Sequence, residues 1–173
     1  LCAHRRGEFG VEGLNRFVAE HLTRRGIVDA RGDWYDGRPV LVTANDYSLD
    51  LFNGDIGIIA EEPGSSAGDA RALVAFFPGA GSAPPRRFAP GQLPPQDTVF
   101  AMSVHKSQGS ELDEVALVLP GRVSPILSRE LIYTGITRAK KRVTIYGTRE
   151  VLARAIEARI ERTSGLSRAL WAK

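Results

Sequence analysis

Runs and alternations of apolar residues divide the chain into three parts. Near the start, Val11, Leu14, Val18 and Leu22 recur at helical spacing with Phe17 beside them. Gly26 follows as a C-terminal cap, so the pattern predicts an amphipathic helix. From Trp34 to Pro95 the pattern shortens to strand-like stretches at 38–43, 57–60, 72–77 and, more weakly, 86–88. Asn53-Gly54 marks a tight turn between the first two of these. The segments 63–69 and 78–85 are rich in Pro, Gly, Ser and Ala and read as surface loops. Short strands at this spacing predict a small β-barrel.

Beyond the barrel the pattern changes again. Residues 98–104 are β-branched and apolar enough for a strand, and Val115–Leu119 reads as a strand buried on both faces, ended by Pro120-Gly121. Ser128 caps a predicted helix running through Ala139, and Thr134 and Arg138, four apart, share one of its faces. Gly135 inside that helix costs about 1 kcal/mol relative to Ala, which points to close packing or ligand approach. Arg142–Gly147 reads as a strand, and Thr148 caps a last helix with Leu152, Ile156 and Ile160 on one face. Arg154, Arg159 and Arg162 read as its solvated side, and Trp171 lies in a tail that docks or frays. Strand and helix signals on both sides of the short-strand region predict an α/β domain built from 1–33 and 97–173. The barrel, 34–96, is then an insertion.

Composition narrows the class. Hydrophobic residues at 43% and charged residues at 25% support a packed core over 173 residues. The net charge of +3 is compatible with nucleic acid without requiring it. The single cysteine, Cys2, excludes an internal disulfide and fits a reducing cytoplasm. No apolar run approaches a membrane span. The chain starts without Met, on Leu1-Cys2-Ala3, which reads as the tail of a strand in a longer protein.

Candidate chemistry concentrates in one loop, His105-Lys106-Ser107-Gln108-Gly109-Ser110-Glu111. Hydroxyls and amides donate, Lys106 carries charge and Gly109 permits close approach of the main chain, a set suited to a phosphate backbone. A loop of this kind serves equally well as a solvated connection. His4-Arg5-Arg6-Gly7 is a basic turn with the same two readings. Trp34, Tyr35 and Tyr47 are candidates for stacking on bases, although aromatics in a small barrel are more often core. His4, His21 and Cys2 lack metal-ligand spacing, no carboxylate cluster of a nuclease is evident, and Ser103 and Ser107 beside His105 lack a nucleophile elbow.

The stretch Val104–Glu111 resembles motif V of superfamily 1 helicases, and Glu130–Lys140 resembles their motif VI, in matching order and separation. Leu1–Asn15, Trp34–Val40 and Leu51–Gly57 resemble the RecD-type members, alpha chains of bacterial exodeoxyribonuclease V. The resemblance implies a second RecA-like domain carrying an inserted SH3-like barrel, within an ATP-dependent helicase moving 5′-to-3′ on single-stranded DNA in recombinational repair. It implies that Arg138 is an arginine finger, that Arg5 or Arg6 is a second phosphate contact, and that Glu111 meets the ribose with Gly109 beside it. It further places His105, Lys106, Ser107 and Thr134 at the DNA or in coupling DNA to ATP, with Asn45 and Asn53 as DNA candidates in the barrel. Implied partners are ATP with Mg²⁺, the protein's own N-terminal RecA-like domain and other subunits of the exonuclease.

The departures are specific. No Gly-Lys-Ser or Gly-Lys-Thr follows a Gly-rich loop, so the phosphate cradle is missing and the chain by itself is expected to hydrolyse no ATP. Asp113-Glu114 precedes its apolar strand and Glu61-Glu62 stands in the barrel, so neither pair fits the acidic Mg²⁺ site. The competing reading is a stand-alone module that binds nucleic acid or protein and has no ATPase role.

Overall fold

The computed structural model describes residues 1–62 and 72–159. The loop expected at 63–69, together with Ile160, Arg162 and Trp171, lies outside them. The chain divides into two compact units, one built from Leu1–Arg5 and Ser103 onward, the other from Arg6–Met102.

The second unit starts with α1, Val11–Arg24, whose expected apolar face is half-buried and whose Phe17 is exposed. Gly26 takes φ +67° just past its end, and Ile27 N–H returns to the Leu22 carbonyl at 3.0 Å. This is a glycine-terminated helix end. The sheet that follows is antiparallel in the order β4-β3-β2-β1-β5: Arg86–Phe88, Leu73–Phe77, Ile56–Glu61, Arg38–Val42, Gln96–Thr98. Val40, Val42, Leu51, Ile59, Ala75 and Phe77 form its core. Gly57 lies so close to the Phe76 carbonyl that a Cβ there would stand 2.7 Å from it.

The strand expected at 98–104 does not form. Thr98 ends β5, where it pairs with Val40. At Ala101 the side chain of Asn15 replaces a neighbouring strand: its amide donates to the Ala101 carbonyl and its carbonyl oxygen accepts from the Ala101 N–H, both at 2.9 Å. With both main-chain groups engaged by a side chain, no ladder continues through this point.

The first unit contains β6, Leu112–Val118, and β7, Ala139–Tyr146, paired in parallel. Cys2 makes parallel bridges to both Val118 and Ser103. The connection from β6 to β7 carries α2, Arg129–Ile136, and α3, Arg149–Glu157, follows β7. Burial on both faces of β6 is corrected to one: Val115 and Leu117 are buried, while Ala116 is exposed. The buried side meets Leu127, Leu131, Ile132, Val151 and Ala155 in a single core. Gly135 owes its place to this packing, because a Cβ there would press on the Leu117 methyls at 3.2 Å and 3.3 Å.

Two helix expectations shift. Ser128 does cap α2, accepting from Leu131 N–H. The helix stops at Ile136, however, because Ala139 already pairs with Leu112 across the sheet. Thr148 caps α3, but the buried positions are Val151 and Ala155, and Ile156 is exposed. The Ile156 carbonyl and the Ala158 carbonyl instead receive Arg129 Nε and Arg129 N–H, which stitches the end of α3 to the start of α2.

Candidate functional site

Residues 104–109 form a chain of tight turns between the Ser103 bridge and β6. Three main-chain bonds fold it: Ser107 N–H to the Ser103 carbonyl, Gln108 N–H to the His105 carbonyl, and Ser110 N–H to the Ser107 carbonyl. Ser107 is fully buried, and its hydroxyl donates to the Val104 carbonyl at 2.8 Å. Its chemistry is spent on the shape of the loop. That leaves His105, Lys106, Gln108 and Gly109 exposed on the outside. Gly109 takes φ +87° with open space beside it, so the backbone conformation calls for glycine.

Arg138 stands in the two-residue turn between α2 and β7, next to this loop. Its N–H groups go to three neutral acceptors: Nη1 to the Ser110 carbonyl at 3.2 Å, Nε to the Thr134 carbonyl at 3.3 Å and Nη2 to Thr137 Oγ1 at 3.3 Å. Its own carbonyl accepts from Leu112 N–H at 2.8 Å. Arg138 thus holds the loop on either side of Glu111. The Glu111 carboxylate turns to Lys140 Nζ at 2.9 Å, both side chains being exposed. A hydrogen bond from Lys140, then the Lys140 charge, holds the Glu111 carboxyl below the usual carboxylate range. Thr134 is tied down by its hydroxyl, which donates to the Glu130 carbonyl at 2.7 Å.

The Lys140 pair begins a ladder. Lys141 meets Asp113 at 2.8 Å and Arg142 meets Glu114 at 2.6 Å, so the acidic pair that precedes the β6 apolar run is occupied by cations of β7. In the other unit Glu62 pairs with Arg87. Among the described residues no three His, Cys, Asp or Glu side chains gather to hold a metal ion.

His4 shares a 2.9 Å hydrogen bond with Ser124, and Arg5 and Arg6 are exposed in the turn that follows. Asn45 braces its own loop, its carbonyl oxygen accepting from Asn53 N–H at 2.8 Å. Tyr47 is 80% exposed beside Phe52, ring edge to face, whereas Tyr35 is buried and Trp34 packs on the sheet core. Sequence reasoning assigned Thr137 and Lys140 no role of their own. Both sit next to the residues they hold, and only the stretch Thr134–Lys140 itself marks them. It also passed over Arg38, which is buried and donates to Thr98 Oγ1, Gln96 Oε1 and the Asp33 carbonyl, with Trp34 beneath its guanidinium.

Residues 98–146, the stretch that holds both the loop and the Arg138 turn, match the family model of the UvrD-like helicase C-terminal domain. They define the chain as carrying a helicase C-terminal segment with a parallel sheet and flanking helices. More narrowly, the chain is a homologue of RecD, the RecBCD enzyme subunit. It is 45% identical to the RecD of Mycolicibacterium smegmatis, over 98% of this chain and 28% of that protein. It is 42% identical to the RecD of Mycobacterium tuberculosis H37Rv, over 96% of this chain and 27% of that protein. The chain therefore spans about a quarter of the length of these curated relatives. A Pif1 helicase from Bacteroides, solved in complex with ADP-AlF3 and ssDNA, aligns with 16% identity and a TM-score of 0.47, covering 85% of this chain and 39% of that one. No helix among the described residues is long and apolar enough to cross a membrane.

Proposed function

We propose that the chain supplies the second RecA-like part of an ATP-dependent 5′-to-3′ DNA helicase of the RecD type, with Arg138 as its arginine finger. The observation that carries this is the state of Arg138. Its guanidinium rests on three neutral oxygens, at distances long for hydrogen bonds, and Glu111, the acid whose titration its charge helps to lower, is paired with Lys140 instead. A cation held this way keeps its charge for an incoming anion, and a guanidinium suits charge spread over phosphoryl oxygens. Glu111 then faces the ribose with Gly109 beside it, and Arg5 or Arg6 adds a second phosphate contact.

His105 and Lys106 offer the DNA-facing surface of the loop, which Ser107 shapes from within and Thr134 links to the helix. The antiparallel sheet is read as an SH3-like barrel inserted at 34–96 into a domain formed by 1–33 and 97–173. Its single core and the return of β5 beside β1 support the barrel, although α1 groups with the sheet and not with the α/β unit. Asn45 and Asn53 are its DNA candidates, with Tyr47 exposed between them. The phosphate cradle and the Mg²⁺ ligands come from an N-terminal RecA-like domain, since the 173 residues hold no Gly-Lys-Ser or Gly-Lys-Thr loop. ATP, single-stranded DNA and the other exonuclease subunits are the partners, in the cytoplasm.

The test is Arg138→Ala in the full-length protein. DNA-stimulated ATP hydrolysis should fall by about 10³–10⁵ while nucleotide binding persists. Wild-type turnover would reject the finger and favour a module that binds without hydrolysis.

A further inference from the structure

Arg138 has a neighbour whose chemistry the reading above leaves unused. Thr137 Oγ1 accepts from Arg138 Nη2 at 3.3 Å and donates to the Thr134 carbonyl at 3.1 Å. The same carbonyl receives Arg138 Nε at 3.3 Å. A hydroxyl has one proton to give and lone pairs to receive, so the donation to Thr134 turns its acceptor side to the guanidinium. The result is a closed polar circuit, Nη2 to Oγ1 to the Thr134 carbonyl and back to Nε, anchored on the last turn of α2. On the third side, Nη1 is fixed to the Ser110 carbonyl.

An arginine side chain has many rotamers, and that freedom must be given up whenever its head is aimed at one place. We infer that Thr137 is a positioning residue for Arg138, aiming the guanidinium before nucleotide arrives. This inference rests on the arginine-finger reading. Thr137 itself is exposed, and its hydroxyl is not in the core, so losing it leaves no buried group unpaired. Its effect therefore falls on the aim of the guanidinium and not on the fold. Lys140 works in the same direction: by engaging Glu111 at 2.9 Å it occupies the carboxylate closest in sequence to the Ser110 carbonyl on which Arg138 rests.

The experiment compares Thr137→Val, Thr137→Ser and Arg138→Ala in the full-length protein, by steady-state DNA-stimulated ATP hydrolysis and thermal unfolding. Thr137→Val keeps the shape and removes the hydroxyl. It should lower kcat by about ten- to a hundredfold, the range expected for a misplaced group, with KM for ATP and the unfolding midpoint unchanged. Thr137→Ser, which keeps the hydroxyl, should restore kcat. If Arg138→Ala abolishes turnover while Thr137→Val is as fast as wild type, the positioning role is wrong and the finger stands. A fall in kcat that tracks lost thermal stability and is not rescued by serine would make Thr137 merely structural, and also overturns it. Wild-type turnover by Arg138→Ala removes the reading on which the inference rests.

Discussion

Glu111 shows how little a single exposed pair does for the fold and how much it reveals about the site. Its bond to Lys140 lies in solvent, where an ion pair contributes little to stability. Its titration is nonetheless displaced downward, first by the Lys140 hydrogen bond and then by the Lys140 charge. Because the folded-state value is depressed, the pair's contribution is complete above the usual carboxylate range and is lost as pH falls through the lowered value. Lys140→Met should move the Glu111 midpoint upward in a carboxyl-carbon NMR titration. An unmoved midpoint would show that Lys140 does not set the charge of Glu111. At this scale the sequence named Arg138, Glu111 and Gly109 through their motifs. It could not tell that Ser107 is enclosed, because a serine in a polar loop looks the same whether its hydroxyl faces water or the Val104 carbonyl.

At the scale of elements, apolar periodicity located α1, α2, α3, β6, β7 and the first four strands of the antiparallel sheet, with ends displaced by one to several residues. The failures have physical causes. The run at 98–104 has strand composition, yet Asn15 engages the main chain of Ala101 and divides it. β5, Gln96–Thr98, is short and polar and carries no alternation to read. The glycines of the elements were legible only as exceptions: Gly135 drew notice because a helix disfavours it, while Gly57 in β2 did not. At Gly57 a Cβ would lie 2.7 Å from the Phe76 carbonyl and 2.8 Å from the Phe77 ring. Neither neighbour yields easily, since one is backbone of the paired strand and Phe77 is buried. Gly57→Ala should therefore cost about 2 kcal/mol, within the overpacking range, read as a lowered urea midpoint with unchanged m-value. A neutral result would mean that β2 and β3 can separate locally without loss.

Over the whole molecule, the chain forms two compact units with a core each, and α1, which the pattern assigned to the α/β part, is grouped with the short strands. What the pattern hid was the disposition of charge. Lys140-Lys141-Arg142 is the most basic run between Ser103 and Arg159, and on paper it invites a nucleic-acid role. In the fold each of the three is matched by an acid on or just before β6: Glu111, Asp113 and Glu114. Cations already neutralised within the protein displace few counterions when a polyanion docks, so they add little to the ionic-strength dependence of binding. Doubling the substitutions, Lys141→Gln with Arg142→Gln, should leave the slope of log K against log salt for single-stranded DNA unchanged in the full-length protein. The parallel strands thus carry a basic segment whose charge is already matched by the neighbouring strand, and the cations left to meet DNA are fewer than a count of lysines and arginines would indicate.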